Sequence, residues 1–333
     1  MTEQRIIVSA GVHIISKESE FLDAIGKAIS EATPQGSHQS PSKCPVIRTL
    51  VNDLSSAEES IRSQDDSLLI WDASGDLCNA DIISKVAERD QSIVVIDGEA
   101  DDLIRLWDEH PSLNHIWTRK GGRITVAGRY IAKTLSRLRC DETTQGITSY
   151  LGQDAEIYKV EIREYRKTKD CVERVRDLAA LGGGFEHLPV MVASLTWEMI
   201  MNAMFDAPFD FGKMEPKYSH LPRTNDLVLN ESEKIILEYG YDDEVMAISV
   251  RDCFGMLTKD TVIKSLIRSS KQDQFQVKRG GAGAGVGLYM LLDSVNQLDF
   301  QVKSRQFTEV IVVIRLSRRF RDFEFAGKAV NFF

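Results

Sequence analysis

Short apolar runs alternate with amphipathic stretches along the first part of the chain. Runs with strand character fall at Arg5–Ala10, Val46–Val51, Ser67–Asp72, Ser92–Asp97 and His115–Thr118. Helical periodicity fills the gaps, at Ser19–Ala32, Ser56–Ser63, Ala80–Arg89, Asp102–His110 and Ile124–Arg139. In the first of these helices Phe21, Leu22, Ile25 and Ile29 recur at helical spacing. Val12–Ile15 is the alternative for the first strand, and Pro34–Pro45 reads as a loop. Strands separated by helices of this length predict an α/β fold over residues 1–135, a doubly wound five-stranded parallel sheet covered on both faces.

Residues 136–185 have a different texture. Thr148–Leu181 is highly charged and nearly free of breakers, and it predicts one long connecting helix. Leu151, Tyr158, Tyr165, Val172 and Ala179 mark a partial heptad seam, which suits either the stalk of a homodimer or a helix lying on the next domain. Gly182-Gly183-Gly184 ends it. Residues 186–333 then form a second domain. An apolar helix covers Val190–Ala207, and strand-like runs fall at Lys234–Tyr239, Val245–Arg251, Asp299–Lys303 and Glu309–Leu316. The terminal stretch carries Phe320, Phe323, Phe325, Phe332 and Phe333, too apolar to stay wet, and is expected to dock on its own chain, with a partner-binding strand as the alternative.

Composition narrows the function. The chain has 333 residues with 43% hydrophobic content, enough for a core in each half. A formal charge of −9 argues against nucleic acid as the main partner, because phosphate neutralisation needs basic surface. Five scattered cysteines without metal-like spacing read as reduced thiols of a cytoplasmic protein. There is no export pattern at the N-terminus, and no uninterrupted apolar run nears the ~20 residues of a membrane span.

Three stretches of the second half carry candidate chemistry. On the apolar helix, Glu198, Asn202 and Asp206 stand four apart and share a stripe among apolar neighbours. A buried polar stripe costs several kcal/mol unless partnered, and a Mg²⁺ ion with phosphates would partner all three. Asp252 follows a strand directly, before a turn containing Gly255. Farther on, Gly281, Gly283, Gly285 and Gly287 alternate with single residues and open a helix at Leu288, an arrangement that can cradle phosphates. It is neither a Walker loop nor a dinucleotide GxGxxG turn.

In that order, ExxxNA, Asp-x-x-Gly and GxGxGL resemble the GHKL ATP-binding superfamily, which includes DNA gyrase, heat-shock chaperones and sensor histidine kinases. The resemblance covers residues 186–316 and implies an α+β sandwich with a mixed sheet, binding ATP and Mg²⁺. It implies that Asn202 coordinates the magnesium and that Glu198 acts as general base. Asp252 would read the adenine amino group, with Gly255 leaving room for the base. Gly283, Gly285 and Gly287 would wrap the phosphates, with Leu288 closing the box. The adenine box departs from the family's Asp-x-Gly-x-Gly, reading Asp252-Cys253-Phe254-Gly255-Met256.

The first half resembles a degenerate receiver domain of two-component signalling. Asp72 ends the third strand, where a phospho-acceptor role would fall, and Lys120 follows the fifth. The acidic pair that holds the family's Mg²⁺ is missing. None of the six histidines lies on the connector, so the resemblance to a histidine kinase does not extend to autophosphorylation there. Together these features imply a signalling protein that uses ATP as ATPase or kinase toward another signalling protein. The alternative is a non-catalytic, nucleotide-responsive docking regulator; a serine kinase of anti-sigma type fits the connector and receiver less well.

Overall fold

Four of the five apolar runs in the first half become strands within a residue or two of their expected bounds. They are β2 (Val46–Leu50), β3 (Leu68–Asp72), β4 (Ser92–Asp97) and β5 (His115–Arg119). The first strand, β1, is Val12–Ser16, the alternative register. The structure, a computed structural model, describes residues 12–31, 46–62, 68–75, 79–89, 91–120, 134, 146–152, 154–270 and 286–333. Arg5–Ala10, the Pro34–Pro45 loop and the helix expected at Ile124–Arg139 (Thr134 apart) therefore lie outside the described residues.

Helices α1 (Ser19–Glu31), α2 (Leu54–Arg62), α3 (Ala80–Ala87) and α4 (Ala100–Glu109) alternate with these strands. Helix α1 packs Phe21, Leu22 and Ile25 on one face of the sheet, against Val12, Ile14 and Ile70. The other three pack Ile61, Val86 and Trp107 on the opposite face, against Ile15, Leu69 and Val94. Covered on both sides, β1, β3 and β5 are buried at every position.

The connector is not one helix. A short turn at Thr148–Tyr150 precedes strand β6 (Ile157–Ile162), and only Tyr165–Leu181 is helical, as α5. Long-range pairing overrides helix propensity in β6. Tyr158 stacks on Tyr239 of β9 (Ile235–Tyr241) with centroids 5.4 Å apart, Lys159 forms an ion pair with Glu238 at 2.8 Å, and Lys234, just before β9, pairs with Glu161 at 2.8 Å. Tyr158 of the seam thus lies in a strand, while Tyr165, Val172 and Ala179 remain on α5, so the seam does not run along one helix.

Helix α6 (Leu188–Met201) starts with Pro189 in its first turn and ends in a π-helical turn, Asn202–Asp206. Among the described residues Leu188–Asp206 is the one helix long and apolar enough to cross a membrane by length and composition, with mean hydropathy 1.3. Val192, Leu195, Met199 and Ile200 are buried in the protein core. A two-residue hairpin follows, β7 (Phe209–Asp210) and β8 (Glu215–Pro216). The remaining elements are β10 (Val245–Asp252), α7 (Lys259–Ser270), α8 (Val286–Ser294), β11 (Gln297–Lys303), β12 (Phe307–Arg315), α9 (Phe320–Glu324) and β13 (Ala329–Phe332).

The result is an α/β architecture built on one mixed sheet of 11 strands, ordered β2-β1-β3-β4-β5-β13-β11-β12-β10-β9-β6. The first five strands are parallel, and β12, β10, β9 and β6 continue antiparallel from β11. Strand β13 joins the two parts, antiparallel to β5 and parallel to β11. The phenylalanine-rich tail does dock on its own chain, and it does so as a central strand.

A buried polar network crosses this junction. Asn331 donates to Asp299 at 2.6 Å and accepts from Trp117 at 3.2 Å and from His115 at 3.1 Å. Burial pushes His115 down to about 4, so its ring is neutral at pH 7, and Nδ1 carries the proton it donates. Asp299 also accepts from Tyr150 and Gln297. Asn331→Leu keeps the branching of the side chain but orphans several of these groups. Urea denaturation is expected to show a loss of about 2–5 kcal/mol; an unchanged midpoint would contradict the assigned role of this network.

Candidate functional site

Helix α6 is apolar because it is the central helix of the second half, packed between α5 and the sheet. Its polar stripe is the exception, and the structure shows what pairs with it. Arg223, from the loop after β8, donates Nη1–H to Glu198 at 3.2 and 3.4 Å. Its Nη2 donates to Asn202 at 3.0 Å and to Asp206 at 2.6 Å. One guanidinium thus serves all three groups, and the π turn does not carry Asp206 out of reach. Burial raises the pKa of Asp206, and Arg223 offsets part of that.

Asp252 sits at the last position of β10, only 6% exposed. Its Oδ1 accepts from the backbone N–H of Phe254 at 2.8 Å, Gly255 at 3.3 Å and Thr308 at 3.4 Å. Burial nevertheless dominates, and the carboxyl is pushed up to about 6. Across the ladder, Asp252 pairs with Thr308, and Val250 with Val310.

These elements enclose a cavity of about 540 Å³. Asn202 and Asp206 from the end of α6, Asp252 from β10 and Leu288 from α8 all line it. Three stretches singled out in the sequence therefore meet at one place. Met199, Val250, Leu291 and Val310 make apolar wall, while Lys264 and Arg268 of α7 add basic groups. Lys264 is held by Asp260 at 2.7 Å, one helical turn away.

Other expected roles shift. Glu198 does not line the cavity; it is ion-paired with Arg223 and covered by the first turn of α8. Gly287 serves that contact, since a Cβ there would lie 2.0 Å from Glu198 Oε1. Gly255 has φ of +60°, and a Cβ would lie 2.2 Å from the Lys303 carbonyl oxygen. Its role is close approach to the β11–β12 turn, whereas Met256 and Leu257 are the neighbours that reach the cavity. Gly281, Gly283 and Gly285 lie outside the described residues.

A resident magnesium ion fits this arrangement poorly. Among the described residues no group of three or more His, Cys, Asp or Glu is disposed to hold a metal. Asn202 and its two acidic neighbours already face a guanidinium. A divalent ion on Asn202 would compete with that guanidinium for the oxygens of Glu198, Asn202 and Asp206.

The first half has a parallel arrangement at the switch point between β1 and β3, where open α/β sheets place ligands. Asp72 is fully buried and accepts a hydrogen bond from Ser16. Burial raises its pKa, and Ser16 and Arg119 pull it back. Arg119 of β5 donates to Glu18 twice at 2.8 Å, to Asp97 at 2.8 Å and to Ser74 at 2.6 Å, and lies 3.7 Å from Asp72. Burial alone would lower the Arg119 pKa, but the ion pairs with Glu18, Asp72 and Asp97 outweigh it and hold the guanidinium firmly protonated. Lys120, which follows β5, pairs with Glu99 at 2.6 Å.

Arg223, Arg119 and Thr308 were not singled out in the sequence. The first two could have been sought by asking which cations balance Glu198, Asp206 and Asp72, although nothing in the periodicity marks them. No protein-family model matches the sequence, and no curated protein matches it.

The Asp252 pKa generates a stability prediction. The carboxyl ionises near 3.8 when unfolded and near 6 when folded, so the native state holds its proton longer. Stability from this group is complete below pH 4 and is lost as pH rises to about 6, by about 3 kcal/mol. Asp252→Asn is expected to match the wild type near pH 4 and exceed it at pH 7. Urea midpoints at the two pH values measure this; parallel behaviour of the two proteins would refute it.

Proposed function

We propose that the chain is a nucleotide-responsive signalling protein that binds ATP in the cavity between α6, β10, α7 and α8. One observation carries the reading. Asn202, Asp252 and Leu288, far apart in the chain and chosen from three separate boxes, line the same cavity. Its volume falls within the ~300–1,000 Å³ usual for small-molecule sites. Apolar wall beside the Asp252–Thr308 pair suits a planar base whose amino group donates to the carboxylate. Lys264 and Arg268 suit phosphates.

In this reading the second half is a histidine-kinase-like domain of the GHKL type. The first half is a degenerate receiver, supported by its strand order β2-β1-β3-β4-β5 and by Asp72 at the end of β3. Fold analogy alone does not assign activity. The pairing of Glu198 with Arg223 favours the regulatory form of the reading over an ATPase or kinase, because a general base has to be free to accept a proton. The acidic chain keeps another protein, rather than nucleic acid, as the expected partner.

Calorimetric titration with ATP and GTP tests this. The wild type is expected to bind ATP at one saturable site, preferring it to GTP. Asp252→Asn is expected to weaken ATP by about 10- to 100-fold while erasing the preference, as loss of a hydrogen bond to a charged group does. No saturable binding, or equal binding of both nucleotides by the wild type, would end the proposal. Radiolabelled ATP turnover that disappears in Glu198→Gln would restore the enzymatic form.

A further inference from the structure

Arg223 does more than close a surface ion pair. Its guanidinium, with the side chain 31% exposed, meets a carboxylate, a carboxamide and a second carboxylate in succession along one helix. Glu198 and Asp206 carry two negative charges toward it, and Asn202 adds an oriented oxygen. These are the groups whose burial called for a metal in the sequence. A planar guanidinium supplies the same two things, positive charge and directional contacts, to several oxygens at once.

The loop that delivers Arg223 is anchored on either side. Leu221 N–H donates to the Tyr218 carbonyl at 2.9 Å, and Asn225 N–H to Pro222 at 2.9 Å. Asp226 pairs with Arg166 of α5, and Val228 bridges to Glu164. Arg223 is thus held over the stripe by structure on both flanks. Two of its three partners, Asn202 and Asp206, line the cavity. The same solution appears independently at Arg119, which gathers Glu18, Asp72 and Asp97 where the first half would otherwise need a cation.

Resting on the ATP reading, we propose that Arg223 takes the place of the divalent cation, so that this site binds the nucleotide without a bound metal. The guanidinium neutralises the acidic stripe that would otherwise repel a polyphosphate, and it is covalently part of the chain. Binding is therefore indifferent to chelation.

The test is ATP binding by the full chain, by calorimetry, in EDTA and in excess magnesium. The wild type is expected to give dissociation constants within about threefold of each other. Arg223→Ala is expected to bind at least about tenfold more weakly in EDTA, and magnesium is expected to restore much of the loss, since the vacated stripe can then accept an ion. Arg223→Lys keeps the charge but loses the fork, and falls between the two. Wild-type binding that requires magnesium overturns this inference and leaves the ATP reading intact. Arg223→Ala binding unchanged in EDTA does the same. Absence of saturable binding in both buffers overturns the ATP reading and this inference together. A magnesium requirement in the wild type overturns the inference even if Arg223→Ala does not fold, and Arg223→Lys then reads the arginine's part.

Discussion

Strand β13 is the constraint on which the architecture rests. Without it β5 and β11 would each present an unpaired sheet edge to the other, and such edges are hazards. All four of its residues, Ala329–Phe332, pair with β11, and Ala329–Asn331 pair with β5. The apolar members Ala329 and Val330 are buried, and the polar Asn331 is equally buried because the junction supplies its partners. Lys328, just before the strand, donates to the carbonyls of Leu292, Asp293 and Val295 at the end of α8. Burial lowers its pKa, yet the ammonium stands where a helix terminus favours a cation. The chain's last residues therefore set the position of a cavity wall as well as the continuity of the sheet.

That continuity brings the first half into contact with the cavity's far side. Helix α7, which lines the cavity, begins at Lys259, whose ammonium donates to Asn114 at 2.7 Å and to the Ser112 carbonyl at 3.1 Å. Tyr289 of α8 donates to Asp101 of α4 at 3.2 Å. Two walls of the cavity are thus bonded to the first half of the chain. A ligand that altered the spacing of α7 and α8 would act on these contacts directly, with no relay through the sheet.

Legibility in the sequence followed locality. Strands β2 to β5 were visible because each is an apolar run bounded by turn residues, and α6 because it is apolar throughout. The convergence of Asn202, Asp252 and Leu288 was legible only through the order of the boxes. Strand β6 was not legible. Its residues Tyr158, Lys159 and Glu161 are exposed or charged like those of a helix, and only cross-strand partners on β9 explain them. The same holds for β13, whose strand character comes from two waiting edges. Arg223 and Arg119 escaped notice because charge balance is a tertiary property. A loop arginine and a strand-end arginine look like solvated surface until their carboxylates are placed around them.

Asp252 supplies the final argument about what the cavity holds. A side chain needed only to cap the turn at Phe254 and Gly255 could be asparagine or serine, and it would accept the same N–H bonds without a buried charge. The carboxylate instead sits 6% exposed with no cation bonded to it among the described residues, at a cost visible in its pKa near 6. Its Oδ1 is occupied by three backbone donors, and the residue faces a cavity walled by Val250, Val310 and Leu291. The Thr308 side chain also hydrogen-bonds the carboxylate, and in the proposed ATP reading a donor entering the cavity would add to it. A flat, largely apolar ring bearing an amino group satisfies both the walls and the carboxylate. A ligand without that donor would bury the charge further and gain nothing from it.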